Sequence, residues 1–166
     1  MSASVAAATD DRLPIASDLL GPISIPSNEL VRFPGGLYGF PECRTFALVP
    51  AAREGLFWLQ SAEYSALSFL LADPFTWFPE YHIDVDDVDI ARLGTNDPQH
   101  ILVLAIVTMP AGAGDPCTAN LHAPVLFNVR DRHAHQSIRP DDGYGIREPF
   151  FLDQQPPAES LAGAGA

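Results

Sequence analysis

The chain has 166 residues, 47% of them hydrophobic, and a net charge of −12. This length suits one domain with a normal hydrophobic core, so global disorder is not expected. All nine basic residues are arginines, against 21 acidic residues, and such a chain repels phosphate backbones, which argues against direct binding of nucleic acid.

The acidity has two interpretations. It can serve solubility alone, or it can steer the chain toward a basic protein, and charge alone does not decide between them. Cys43 and Cys117 lie far apart, so we expect two reduced core residues rather than a disulfide or a zinc site. The short apolar run at residues 5–8 has no basic region before it, so no secretion signal is expected and the predicted location is cytoplasmic.

Residues 1–20 are rich in Ala, Ser and Asp, and we expect a disordered N-terminal extension. Short strands are predicted where β-branched and apolar residues cluster between turn residues. These segments are 23–25, 30–33, 45–49, 56–59 and 67–71. Within residues 33–42, two prolines and three glycines alternate with apolar side chains, which predicts a rigid turn anchored by burial.

Four aromatic residues lie within 75–81. Such density is typical of a core segment in a short helical turn, with a ligand-binding platform as the alternative. The following segment, 84–93, holds four aspartates and predicts one or two helical turns capped by Asp86 or Asp87, with a solvated acidic face. It is not a calcium loop, because the required glycine and terminal glutamate are missing.

The longest apolar run, Ile101 to Val107, is far shorter than the roughly 20 residues that a membrane-spanning helix needs. Its β-branched content predicts a strand buried on both faces. The Pro/Gly loop 110–116 reverses the chain, so 118–129 would form the second arm of a hairpin at the centre of a sheet. Residues 136–138 are predicted as an edge strand, and 153–166 as a disordered tail.

The strand spacing predicts a mainly β fold: a compact antiparallel β-barrel-like single domain over residues 21–152, or a sandwich, with one or two short helices. The sequence was also compared with the residue patterns of catalytic and metal sites, and none is complete. There is no Gly-x-Ser-x-Gly nucleophile motif, and His133-x-His135 lacks a third ligand nearby in the sequence. The residues therefore predict no enzyme, no cofactor and no metal site.

Several motifs, taken in order, resemble the flagellar assembly factor FliW family over about residues 21–150. They are Phe33-Pro34-Gly35-Gly36-Leu37-Tyr38-Gly39-Phe40-Pro41-Glu42, Leu59-Gln60-Ser61, Phe69-Leu70-Leu71-Ala72-Asp73-Pro74, Phe78-Pro79-Glu80-Tyr81, Thr118-Ala119-Asn120-Leu121-His122-Ala123-Pro124-Val125, Asn128, Gln136 and Tyr144-Gly145-Ile146-Arg147. The chain departs from the family pattern at Gly36 and Tyr38, where the family more often has a charged or polar residue and a proline, and at His122.

The resemblance implies a small β-barrel-like protein without catalytic activity that binds flagellin in the cytoplasm. It also implies that the free protein binds CsrA, a small basic RNA-binding dimer that represses flagellin translation. FliW antagonises CsrA allosterically, outside its RNA groove, so flagellin and CsrA compete for it. No contact with nucleic acid or with a membrane is implied.

The partner-binding residues that we predict are polar members of these motifs and the acidic run. They are Gln60, Ser61, Tyr81, Asp84, Asp86, Asp87, Asp89, Asn120 and Asn128. The polar ones could instead cap strand ends or satisfy buried backbone groups. The alternative function is a small-ligand or carbohydrate-binding barrel with 75–81 as a platform, which would be metal-dependent if the four aspartates served as ligands.

Overall fold

The computed structural model describes residues 11–138 and 143–153. Predictions for residues 1–10 and 154–166 lie outside the described residues. The strands are β1 (Arg12–Ile15), β2 (Ile23–Pro26), β3 (Val31–Arg32), β4 (Thr45–Pro50), β5 (Leu56–Ser61), β6 (Ser68–Ala72), β7 (Ile101–Thr108), β8 (Cys117–Ala119), β9 (Val125–Asn128), β10 (His133–Gln136) and β11 (Glu148–Phe150). The helices are α1 (Pro74–Trp77) and α2 (Asp87–Leu93), and Ser27–Glu29 and Pro98–His100 form 3₁₀ turns.

Seven of these strands close into a barrel in the order β3, β4, β5, β6, β7, β9, β10, with β10 returning to β3. Six of the seven pairings are antiparallel. The seventh, between β10 and β3, is parallel and places His133 opposite Arg32. The predicted mainly β, antiparallel barrel-like fold with one or two short helices is confirmed.

Strand β7 is hydrogen-bonded along both edges. On one edge its residues 105–107 pair with β6. On the other edge, Ile101–Leu104 pair with β9, and Val107 and Thr108 pair with β8, which in turn carries β11. Residues 101–107 are buried or half-buried on both faces of the sheet, which suits seven uncharged apolar side chains.

The second arm of the predicted hairpin is interrupted. Val107 lies opposite Ala119, and Leu104 lies opposite Val125. Between these two pairs the second arm has three more residues than β7, so three of its residues have no partner in β7. Their backbone groups bond elsewhere: the Leu121 carbonyl accepts from the Tyr81 hydroxyl at 2.9 Å, and the Leu121 amide donates to the Gly145 carbonyl at 3.1 Å. The arm is therefore two strands joined by a bulge whose backbone is bound by other elements.

The barrel interior is filled by aromatic and aliphatic side chains, including Phe33, Phe46 and Phe127, each at most 2% exposed. The Phe33 ring contacts the other two edge-on, at centroid distances of 5.0 and 6.0 Å. Cys43 and Cys117 are buried and unpaired, as expected. A second cluster forms where α1 packs against β7, β8 and β11.

The aromatic segment 75–81 belongs mostly to that second cluster. The rings of Trp77 and Phe78 pack on Phe150 at 5.6 and 5.5 Å, and the Tyr81 ring packs on Tyr144 at 4.7 Å. The prediction of a core segment in a short helical turn therefore describes these rings better than a ligand-binding platform does.

Two expectations differ from the structure. Strand β1 lies inside residues 1–20, where we expected a disordered extension, because it pairs over four residues with β2. Consequently β2 pairs with β1 and not with β3. Strand β10, near the predicted edge strand 136–138, lies between β9 and β3 inside the closed sheet.

Two glycines of the turn 33–42 provide a test of its geometry. Gly36 and Gly39 both have positive φ, at 71° and 89°. A Cβ at Gly36 would lie 2.6 Å from backbone atoms of Pro41, whereas a Cβ at Gly39 meets nothing within 4 Å. We expect Gly39→Ala to lower the free energy of unfolding by about 1 kcal/mol through backbone strain, and Gly36→Ala by about 2–4 kcal/mol because a clash is added. Urea unfolding measures both, and equal losses would contradict this geometry.

Candidate functional site

A groove of about 760 Å³ runs between the turn 33–42 and the end of β10. Residues 34–39 and Pro41 form one wall; Arg92 of α2, residues 134–136 and Ile138 form the other. We call this the turn groove. Tyr38 and Ile138, two large hydrophobic residues that line it, are 77% and 52% exposed, which is typical of a surface that contacts another molecule.

The turn wall is rigid because its buried side chains and backbone bonds hold it. Phe33 and Leu37 are buried in the barrel, and Leu37 and Phe40 exchange backbone hydrogen bonds of 3.2 and 2.7 Å. The amide of Tyr38 donates to the Gln136 side-chain oxygen at 3.0 Å, which ties the turn to β10. Tyr38 is thereby presented on a fixed support.

The opposite wall depends on α2. Asp86 caps this helix by accepting from the Asp89 amide at 2.8 Å, and the Asp89 carboxylate accepts from the Asp86 amide at 3.4 Å, which is a capping box. Gly94 ends the helix in the left-handed conformation. The side-chain nitrogen Nδ2 of Asn128 donates to the Leu93 carbonyl at 2.8 Å, so a side chain of β9 satisfies a carbonyl left unpaired at the helix end.

A buried pair joins α2 to β10. Nε2 of His135 lies 2.9 Å from the Asp89 carboxylate, and the two side chains are 11% and 6% exposed. We assign the hydrogen to Nε2, since an ionised carboxylate can only accept. Burial raises the pKa of Asp89, but hydrogen bonds from the side chains of His135 and Ser137 and from the Asp86 backbone lower it, and the net pKa lies below its ordinary value.

The acidic run therefore divides into two kinds of residue. Asp84, Asp86 and Asp87 are exposed. Asp89 is 4% exposed, which corrects its predicted place on a solvated acidic face: the turn of α2 points it at β10. The four aspartates do not converge on one point as metal ligands would, since Asp86 and Asp89 cap the helix and Asp84 pairs with His82 at 3.1 Å.

Four further residues predicted to contact a partner are buried: Gln60, Ser61, Tyr81 and Asn128. The Gln60 side chain accepts from Ser17 at 2.6 Å and donates to the Ser61 carbonyl at 3.0 Å. The Ser61 hydroxyl accepts from the Tyr64 amide at 2.9 Å. All four side chains satisfy backbone groups, at the end of β5, at the bulge or at the end of α2, which was the alternative that the sequence left open.

Asn120 is half-buried and shapes the bulge, because its side-chain oxygen accepts from the Ala123 amide at 3.0 Å. The groove residues Tyr38, Arg92 and Ile138 were missed. Tyr38 carried a signal, as a bulky side chain in a Gly/Pro turn where the resembling family more often has proline. Arg92 and Ile138 carried none, because only the closed barrel brings them to the same groove.

Comparison with known proteins identifies the family. The model of the family described as "FliW protein" matches residues 14–150. The chain belongs to the FliW family. The resemblance argued from the motifs is thus confirmed, and the match extends further toward the N-terminus than the motifs did.

Relatives and a solved structure agree with this assignment. The flagellar assembly factor FliW of Treponema denticola is 34% identical over 139 residues, which cover 84% of this chain and 94% of that protein. FliW of Symbiobacterium thermophilum is 40% identical over 126 residues, covering 75% and 91%. A crystal structure of the flagellar assembly factor FliW superposes with a TM-score of 0.77 at 34% identity, covering 86% of this chain and 99% of the other.

Neither a cluster of metal ligands nor a membrane-spanning helix is found among the described residues of this FliW-family chain. No group of three or more His, Cys, Asp or Glu side chains in residues 11–138 and 143–153 is placed to hold a metal ion. Over the same residues, no helix has the length and apolar character needed to span a membrane.

The Asp89–His135 pair predicts a pH dependence of stability. Because the folded pKa of Asp89 is depressed, its stabilisation is present above the unfolded pKa and is lost as pH falls through the folded pKa. We expect Asp89→Asn to lower the free energy of unfolding by about 2 kcal/mol near neutral pH, and by progressively less toward pH about 3. Urea unfolding across this range measures the difference.

The control is Asp87→Asn, an exposed position on the same helix, for which we expect a loss below about 1 kcal/mol. A loss at Asp89→Asn that is the same at neutral and acidic pH would contradict the assigned role of the ionised carboxylate.

Proposed function

We propose that this chain is a non-catalytic cytoplasmic assembly factor that binds flagellin and, when free of flagellin, binds the translational regulator CsrA. Binding antagonises CsrA allosterically and relieves its repression of flagellin translation. The observation that carries the proposal is the family match over residues 14–150, together with relatives named flagellar assembly factors that align over nearly their whole length.

The turn groove is the surface that we propose for partner binding. It offers Tyr38, Ile138 and Arg92 around one concave site. Tyrosine and arginine are the residue types that most often dominate the binding energy of interfaces, because each combines a large contact area with a polar end. The rigid turn also lowers the entropy that binding would otherwise cost.

Charge supports the CsrA part of the proposal. Asp84, Asp86 and Asp87 are exposed on or just before α2, the helix that contributes Arg92 to the groove, and the whole chain carries a net charge of −12. A basic RNA-binding dimer would be attracted to this side of the molecule, which speeds association more than it tightens the final complex.

A competition experiment tests the proposal. We expect purified chain to retain CsrA at micromolar concentration, and flagellin added to the complex to release CsrA, since the two partners share the chain. The variant Tyr38→Ser should weaken retention of at least one partner about tenfold or more, because it removes an exposed aromatic side chain from the groove. Its stability should not change, because the ring is outside the core.

Tyr64→Ser is the matched control: Tyr64 is 50% exposed and lies outside the groove. It should retain both partners at the wild-type level. Failure of the wild-type chain to bind either partner would contradict the proposed function, whereas equal losses in the two tyrosine variants would contradict only the groove as its site.

A further inference from the structure

A second cavity, of about 400 Å³, lies beside the turn groove and has the opposite chemistry. Its lining includes Arg32, Arg130, Arg132 and His133, together with Ser27, Asn28, Leu30, Pro34 and Asp131. We call it the arginine pocket. Three of the nine arginines of a chain with net charge −12 thus face one cavity. The pocket thus collects positive charge, whereas the net charge of the whole chain is negative.

The barrel closure brings these arginines together from distant parts of the sequence. Arg32 lies on β3, while Arg130 and Arg132 lie in the turn between β9 and β10. The parallel pairing of β10 with β3 joins the two regions, and the Arg32 amide donates to the Arg132 carbonyl at 3.0 Å. Backbone pairing between β3 and the start of β10 therefore brings the three arginines to one place.

The turn that carries Arg130 and Arg132 is held in an unusual conformation. Its backbone amides at 130 and 131 both donate to the Asn128 side-chain oxygen at 3.0 Å. Arg132 has φ of 62° and is the one non-glycine residue with positive φ among the described residues. An arginine in this conformation costs about 1–2 kcal/mol relative to a relaxed backbone, and the hydrogen bonds of the turn, including that from the Arg132 amide to the Asn128 carbonyl at 2.8 Å, hold it there.

The positive charge of the arginine pocket is only partly compensated. The terminal nitrogen of Arg132 donates to the Glu29 backbone carbonyl. Nε of Arg132 is shielded from solvent and has no hydrogen-bond acceptor within the described residues. Nε of Arg130 lies 3.4 Å from the Asp131 carboxylate. No ion pair of Arg32 appears within residues 11–138 and 143–153. Three guanidinium groups against the single lining carboxylate of Asp131 leave a formal local charge of +2, with His133 counted as neutral.

We propose that the arginine pocket binds a small phosphate monoester. A guanidinium group presents paired N–H donors that match the oxygens of a phosphate. A phosphate monoester carries a charge of about −1.5 to −2 near neutral pH, which balances the local +2, whereas a carboxylate would neutralise only half of it. The volume lies within the range of small-molecule sites, roughly 300–1,000 Å³.

The size of the ligand follows from the charge of the whole molecule. A long polyanion such as RNA would extend from the pocket over an acidic surface and be repelled. A small ligand keeps its charge within the cavity. The arginine pocket and the turn groove share Pro34 as a lining residue. The proposal of a phosphate site does not rest on the proposed partner binding.

Isothermal titration calorimetry in a low-salt buffer without phosphate or sulfate tests this inference, with ribose 5-phosphate, inorganic phosphate and ribose as probes. We expect saturable one-site binding of ribose 5-phosphate, a raised melting temperature, and no binding of ribose. Inorganic phosphate that binds equally well would support the site with free phosphate as its ligand, and tighter binding of the sugar phosphate would support the ester.

Variants locate the binding. Arg32→Gln should weaken it about tenfold or more while keeping the urea midpoint, and Arg130→Gln provides a second pocket variant. Arg147→Gln removes the same charge from an exposed arginine outside the pocket and should leave binding unchanged. Absence of saturable binding of both phosphate probes, or equal weakening by Arg32→Gln and Arg147→Gln, would overturn the proposal.

Discussion

The pairing of β7 along both edges is the constraint on which the rest of the structure depends. One edge carries β6, and the other carries β9 and β8 in succession. Together with the β10–β3 pairing, the β7–β9 pairing closes the sheet. Because β9 and β8 pair with the same edge of β7, the second arm accommodates three extra residues as a bulge. The barrel, the flap formed by β8 and β11, and the bulge between β8 and β9 all follow from it.

The closed sheet explains why most polar motif residues are internal. Strand ends and bulges leave amides and carbonyls without ladder partners, and buried groups of this kind must be satisfied by side chains. Gln60, Tyr81 and Asn128 meet this need at a loop, at the bulge and at the end of α2. The surface available to a partner is then set by residues that the barrel does not use, among which Tyr38 and Ile138 are prominent.

Sequence reasoning succeeded where the signal is local. The apolar run Ile101–Val107 predicted β7, and Asp86 or Asp87 was the predicted cap of α2, a role that Asp86 takes. It failed where the decisive contact is distant in the chain: Arg12–Ile15 becomes a strand only because β2 pairs with it, and Asp89 is buried only because His135 lies opposite. The two cavities are of this second kind, since Arg92 meets β10, and Arg32 meets Arg132, only after the barrel has closed. The ordered motifs and their family resemblance supplied the function class, which composition, charge and hydrophobic periodicity alone did not indicate.

The account rests on the claim that partners bind on the side formed by the turn 33–42, α2 and β10. Hydrogen–deuterium exchange of the chain, alone and bound to flagellin, tests that claim most directly. We predict that binding slows exchange at residues 34–41, around α2 and at 134–138, while β1, β2 and β11 exchange as in the free chain. Protection confined to β1, β2 or β11, with the turn and α2 unchanged, would contradict the account.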